Sequence, residues 1–139
     1  IDWRERKMPK FSKRSLDALS TCDPRLQMVC HLVIQHFDFT VLEGYRNEED
    51  QNKAFEAGLS QLKYPHSKHN SIPARAVCIA PYPVDWKKKL EFVYLAGYMM
   101  MAAGLLGVKL KWGGDWNKNM HISDERFLDL GHFELESYD

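Results

Sequence analysis

The sequence predicts an α+β fold: a small, mainly antiparallel sheet flanked by helices. Three observations point there. Helix-periodic segments come first along the chain. Short runs rich in β-formers then mix with further helical stretches. No internal repeat or low-complexity tract interrupts them.

The elements follow in order. Ser12 to Leu19 reads as a short helix with Ser12 as its N-cap. Asp23-Pro24 is a strong start signal, a capping carboxylate followed by proline at the first helical position. Leu26, Val29, Cys30, Val33, Ile34 and Phe37 then recur at helical spacing and form one buried stripe. Phe39 to Leu42 reads as a strand. Asn47 caps a third helix, with Glu48, Glu49 and Asp50 in its first turn, where the helix dipole favours negative charge. That helix runs to about Ala57 and stops at Gly58. Residues 60–75 have little periodicity and carry Pro65 and Pro73, so they are expected to form a loop that crosses the site. Ala76 to Ala80 is an apolar strand closed by Pro81-Tyr82-Pro83. Asp85 is expected to cap a long helix reaching about Gly104, with Phe92, Leu95, Ala96, Met99 and Ala103 on its buried face. Met99 to Met101 fit core packing. Val108 to Lys111 is a strand, Trp112 to Trp116 a turn-rich loop, and His132 to Leu135 the last strand.

Composition narrows the function classes. A chain of 139 residues fits one domain with a substantial core. Residues 8–139 are expected to form it, and residues 1–7, which precede Met8, are read as an extension or an expression remnant. Nineteen basic and nineteen acidic residues cancel, so no global field attracts nucleic acid or an anionic membrane. The basic cluster Arg4, Arg6, Lys7, Lys10, Lys13 and Arg14 reads as a solvated arm. Three cysteines without framework spacing argue for a reducing compartment, with Cys30 buried and Cys22 a half-exposed loop residue. No secretory signal is visible. The apolar stretch from Phe92 to Val108 is broken by Gly97, Gly104 and Gly107 and reads as a core helix, not a membrane span.

Four residues carry candidate chemistry. His69 lies in a polar loop, where an apolar-core role is weak and an idle, exposed ring is the plain alternative. His132 opens an apolar strand; alternation puts it with Glu134 on one face and Phe133 with Leu135 on the other. Asp129, three residues upstream, has three open roles: to orient His132, to cap a turn, or to act as a base. Cys78 shares a strand face with Ala76 and Ala80, either as a small buried hydrophobe or as a donor with room for a metal beside it. Two imidazoles and a third donor can hold zinc with an open position. His31, His36, His66 and His121 are weaker candidates, and no nucleotide-binding loop or nucleophile signature is present.

Six segments occur in an order that resembles a known family. They are Glu43-Gly44-Tyr45-Arg46, Gln51, Ser67-Lys68-His69-Asn70, Ala76 to Pro83, Trp112 to Trp116, and Asp129-Leu130-Gly131-His132-Phe133-Glu134. The chain resembles the phage endolysins that act as L-alanyl-D-glutamate peptidases, relatives of the zinc D-alanyl-D-alanine carboxypeptidases. The resemblance implies a hedgehog/DD-peptidase-like fold and a zinc peptidase that cuts peptidoglycan stem peptides in host lysis. It implies His69 and His132 as zinc ligands, Asp129 as general base, and Arg46 as the cation that holds the substrate carbonyl. Gln51, Ser67 and Trp112 are expected to support or line the substrate pocket, with Glu134 as site wall or structural support. The implied partners are one zinc ion and bacterial peptidoglycan. No nucleic acid, no stable membrane association and a monomer are expected. The implied location is the host cytoplasm, with action on the wall after membrane permeabilisation.

The chain departs from the family at Cys78, where the pattern has aspartate as third ligand. Three explanations stay open: a thiolate ligand, a change that cripples the site, or a fold kept for wall binding without catalysis. Gly131 is a smaller departure, because the family commonly has proline there.

Overall fold

A computed structural model describes residues 8–136. The N-terminal extension and the basic residues before Met8 lie outside the described residues. In chain order the elements are α1 (Lys13–Leu19), α2 (Pro24–Ile34), β1 (Phe39–Glu43), α3 (Glu48–Glu56), a 3-10 turn (Lys68–Asn70), β2 (Ala76–Pro81), α4 (Lys89–Leu106), β3 (Leu110–Trp112) and β4 (His132–Leu135). The strands form one antiparallel sheet in the order β1-β2-β4-β3. The α+β expectation holds.

Local chemistry explains the helix starts. The Ser12 side chain accepts from Ser15 N, Asp23 from Arg25 N, and Asn47 from Asp50 N, so each satisfies a backbone donor that the helix leaves open. Asp85 departs from expectation. Its carboxylate accepts from Lys87 N at 3.0 Å and shapes a turn before the helix, and α4 begins at Lys89 without a side-chain cap. The third strand also shifts, to Leu110–Trp112, because Val108 still belongs to the turn that leaves α4 at Gly107, with φ 72°.

Alternation divides the sheet. Val77, Ile79, Phe133 and Leu135 enter the core with Val41, and α2 and α4 cover them through Leu26, Val29, Val33, Leu95 and Met99. Cys22 is 1% exposed and belongs to this core. A parallel bridge to Ala74 draws it inward, which corrects the half-exposed loop position read from the sequence. Helix α4 is long and apolar enough to cross a membrane by length and composition alone. Its Phe92, Leu95, Ala96, Met99, Ala102 and Ala103 are buried in the domain, so it serves as a core helix.

The other face of the sheet carries a polar row. Glu43 opposes Cys78, and Cys78 opposes His132, so three strands aim these side chains at one side. The register between β1 and β2 slips between Val41 and Glu43. A bulge of this kind adds one residue and re-aims those after it. It puts Glu43 opposite Cys78 at the sheet edge nearest Arg46.

Candidate active site

A cavity of about 260 Å³ opens on this polar face. The 3-10 turn supplies Ser67, Lys68 and His69; β4 and its approach supply Asp129, His132 and Glu134; Arg46 enters from the β1–α3 connection. Leu59 to Leu62 and His66 form one rim, and Trp116 and Phe127 an aromatic wall. The loop at 60–75 thus borders the site as expected.

The 3-10 turn is built by a capping box. Ser67 Oγ accepts from His69 N at 3.2 Å, and Asn70 Oδ1 accepts from Ser67 N at 3.1 Å. This turns the His69 ring inward, where only 2% of the residue is exposed. Its Nδ1–H donates to Gly44 O at 2.6 Å. A carbonyl can only accept, so the proton sits on Nδ1 and Nε2 keeps its lone pair. Burial, then His132 and Arg46, push the His69 pKa down to about 3, so the ring is neutral. The centroids of the His69 and His132 rings lie 5.2 Å apart.

His132 is held in a complementary way. Its Nε2–H donates to Glu134 Oε1 at 2.9 Å, two residues along the same strand face. Glu134 Oε2 pairs with Lys68 Nζ at 2.8 Å. Burial raises the Glu134 carboxyl, but hydrogen bonds from His132 and Lys68 outweigh it and bring the pKa down to about 2. One carboxylate therefore ties the turn that carries His69 to the strand that carries His132.

Asp129 reaches the cavity through a tight backbone arrangement. Asp129 N donates to Gly113 O at 2.9 Å, Gly113 N to His132 O at 2.8 Å, and His132 N to Asp129 O at 3.1 Å. A Cβ on Gly113 would lie 2.1 Å from Asp129 O, so this approach requires glycine. Burial raises the Asp129 pKa, against the pull of His132 and Arg46. A carboxylate so raised is a stronger base than a solvated one. At Gly131 a Cβ would lie 2.4 Å from Ile79 O. Proline there would require a backbone shift, so β2 and this turn sit closer than the family residue would permit.

The Arg46 guanidinium lines the cavity and is also anchored. Its Nε donates to Glu43 Oε1 at 3.0 Å and its Nη1 to Gln51 Oε1 at 3.0 Å. Gln51 is fully buried. It accepts from Asn70 Nδ2 at 3.2 Å and donates to Ser60 Oγ at 3.0 Å and Leu62 O at 2.6 Å. Gln51 therefore braces Arg46, the 3-10 turn and the cavity rim, and does not itself line the cavity. Trp112 does not line it either. It is buried in β3, with Nε1–H donating to Leu130 O at 2.9 Å. The aromatic wall comes from Trp116, whose ring lies 5.4 Å from His132 and whose Nε1–H donates to Phe127 O. Alternation held the clue: Leu110 and Trp112 flank Lys111 on the inward face of β3, while Trp116 lies beyond the strand. Lys68 and Gly113 also gave no chemical signal in the sequence, because each acts through a partner distant along the chain.

The donor set fits a metal in part. Each of the two imidazoles has one ring nitrogen outside these hydrogen bonds, and Gly44 and Glu134 orient the rings as outer partners do in metal sites. Cys78 stands beside His132 by register but does not line the cavity. Burial, with Asp129 and Glu43 nearby, pushes its thiol up to about 12, against the pull of Arg46. Among the described residues, no three His, Cys, Asp or Glu side chains converge as a metal-binding group. The imidazole pair suits a zinc ion; the third donor is not brought into line with it.

Known proteins resemble this chain in sequence and in fold. The family model for phage L-alanyl-D-glutamate peptidases matches residues 8–136. The L-alanyl-D-glutamate peptidase of Escherichia phage T5 is 35% identical over 134 residues, covering 91% of this chain and 97% of that protein. The crystal structure of the Serratia marcescens L-Ala D-Glu endopeptidase ChiX superposes with a TM-score of 0.73 at 27% identity, covering 96% of this chain and 93% of that one.

Proposed function

The chain belongs to the phage L-alanyl-D-glutamate peptidase family, and on that premise we propose how its own residues cut the L-alanyl-D-glutamate bond of bacterial peptidoglycan. It is a peptidoglycan peptidase of the endolysin type. The observation that carries the reading is the convergence of Arg46, His69, Asp129 and His132 on one cavity.

Asp129 is the general base. Its raised pKa suits it to take a proton from the attacking water and return it to the leaving amine. Arg46, braced by Glu43 and Gln51, faces the carbonyl oxygen as negative charge develops there. A braced cation needs little reorganisation at that moment. Ser67 and Lys68 line the cavity beside it, and Trp116 and Phe127 shield one side from water. His69 and His132 are the residues that would hold one zinc ion, with Cys78 the nearest candidate for a third donor by register; bound there, zinc would supply Lewis acidity. We further propose a monomer that is made in the host cytoplasm and reaches the wall once the membrane is permeabilised.

A second reading rests on Cys78. Its thiol is held protonated and off the cavity lining, which favours a wall-binding domain with impaired catalysis. Cys78→Asp separates the two. At equal zinc loading, the aspartate variant is expected to clear purified murein faster than the present chain, with metal content checked by mass spectrometry. Equal rates, with ordinary thiol reactivity of Cys78 in the zinc-loaded protein, would remove Cys78 from the ligand set. Failure of both proteins to release stem-peptide fragments would leave the wall-binding reading.

A further inference from the structure

On the side of the sheet away from the cavity, α4 turns a second apolar surface outward. The 100° step of a helix puts Leu90, Tyr94, Gly97, Met101, Gly104 and Leu105 on one narrow arc, opposite the buried one. Leu90, Tyr94, Met101 and Leu105 are 84%, 61%, 67% and 75% exposed. Trp86, exposed just before the helix, stacks at 5.2 Å on Phe92 of the buried arc and so stands beside this face. Single exposed hydrophobic residues are ordinary, whereas a whole helical face without a charged side chain is not.

Charge identifies the occupant. Lys87, Lys88 and Lys89 are exposed at the N-terminal end of this face and Lys109 at the other, and Glu91 is the only acidic residue in the helix. A second copy of the chain would bring lysine against lysine in either helix orientation. An anionic lipid surface meets both the apolar arc and its basic ends. We propose that this face docks reversibly on an anionic bilayer, with α4 in the interfacial plane and the cavity directed away from the lipid. The whole-chain charge balance conceals this, because it averages a basic helix end with acidic segments elsewhere. The docking is independent of the peptidase reading, since no α4 residue lines the cavity.

The test is co-sedimentation of the full chain with vesicles of phosphatidylethanolamine and phosphatidylglycerol, beside vesicles of phosphatidylcholine alone. Partition into the anionic vesicles is expected, weakening as salt rises. Each lysine near such a surface is worth about fivefold, so the combined Lys87→Gln, Lys88→Gln and Lys89→Gln variant should bind about a hundredfold more weakly. The combined Leu90→Ser, Tyr94→Ser and Met101→Ser variant should lose binding, with unchanged turnover of soluble stem-peptide fragments as proof of folding. Absence of binding to anionic vesicles would overturn the proposal. So would equal binding to phosphatidylcholine, or a dimer in light scattering that the serine variant dissolves while vesicle binding is nil.

Discussion

On one face of the sheet, Val77, Ile79, Phe133 and Leu135 share one apolar core with residues of α2 and α4. On the other, Glu43, Cys78, His132 and Glu134 share the side of Arg46, Lys68 and His69, and hydrogen bonds and ion pairs join Glu43 to Arg46 and Glu134 to His132 and, 66 residues away, to Lys68. Both faces are largely buried, but burial has opposite requirements on them. The apolar face needs volume filled, and its neighbours adjust when a methyl group is lost. The polar face needs each donor matched to an acceptor, and removal of one partner leaves another buried without it. Damage on the first face should therefore register as lost stability, and on the second as lost chemistry.

The sharpest test of that division is Asp129→Asn. It keeps the shape of the turn and removes the proton acceptor. Turnover on murein should fall by roughly 10²–10⁴-fold with little change in melting temperature. A loss of less than about tenfold in a zinc-loaded variant would give Asp129 another role. On the apolar face, Met99→Ala should cost about 2–5 kcal/mol of stability in denaturant unfolding, with kcat of the folded fraction unchanged. If activity of the folded fraction collapses, the two faces are coupled and the division fails.

Acid should separate them too. In the metal-free protein, burial holds His69 neutral down to about pH 3, whereas the unfolded ring takes a proton near 6.5. Between those values the unfolded chain binds a proton that the folded chain refuses, so stability falls as pH falls. Glu134 adds a second loss. Its folded pKa lies near 2, below the ordinary 4.5, so its contribution is complete above 4.5 and disappears as pH falls through about 2. Melting temperature should decline from pH 6.5 downward, and His69→Gln should flatten the upper part of that decline. The apolar face titrates nothing in this range. The smallest effect is expected two residues from Met99: Met101→Ser, on the outward arc of α4, should change stability by no more than about 0.5 kcal/mol.

The same division governs what the sequence discloses. Period and capping chemistry are local, so the three capped helices, the stripe of α2 and the limits of β4 are legible from neighbouring residues. Alternation also puts His132 and Glu134 on one face before any contact is known. What escapes is set by partners far along the chain. The Lys68–Glu134 pair, the anchoring of Arg46 by Gln51 and the burial of Cys22 under Ala74 depend on strand order and register, which no local pattern encodes. Asp85 misleads for a related reason, because an Asx turn and a helix cap share one signature and only the following residues decide between them.

Gly113 has a consequence for how this protein tolerates change. It contributes no functional group, yet the space its missing side chain leaves is occupied by the Asp129 carbonyl. A single added carbon at position 113 would push on the turn that aims the Asp129 carboxylate, while every chemically active side chain stayed intact. In a scan of all substitutions, this position should behave like a catalytic one. Its intolerance would record a vacancy, and a search for active-site residues confined to reactive side chains would pass it by.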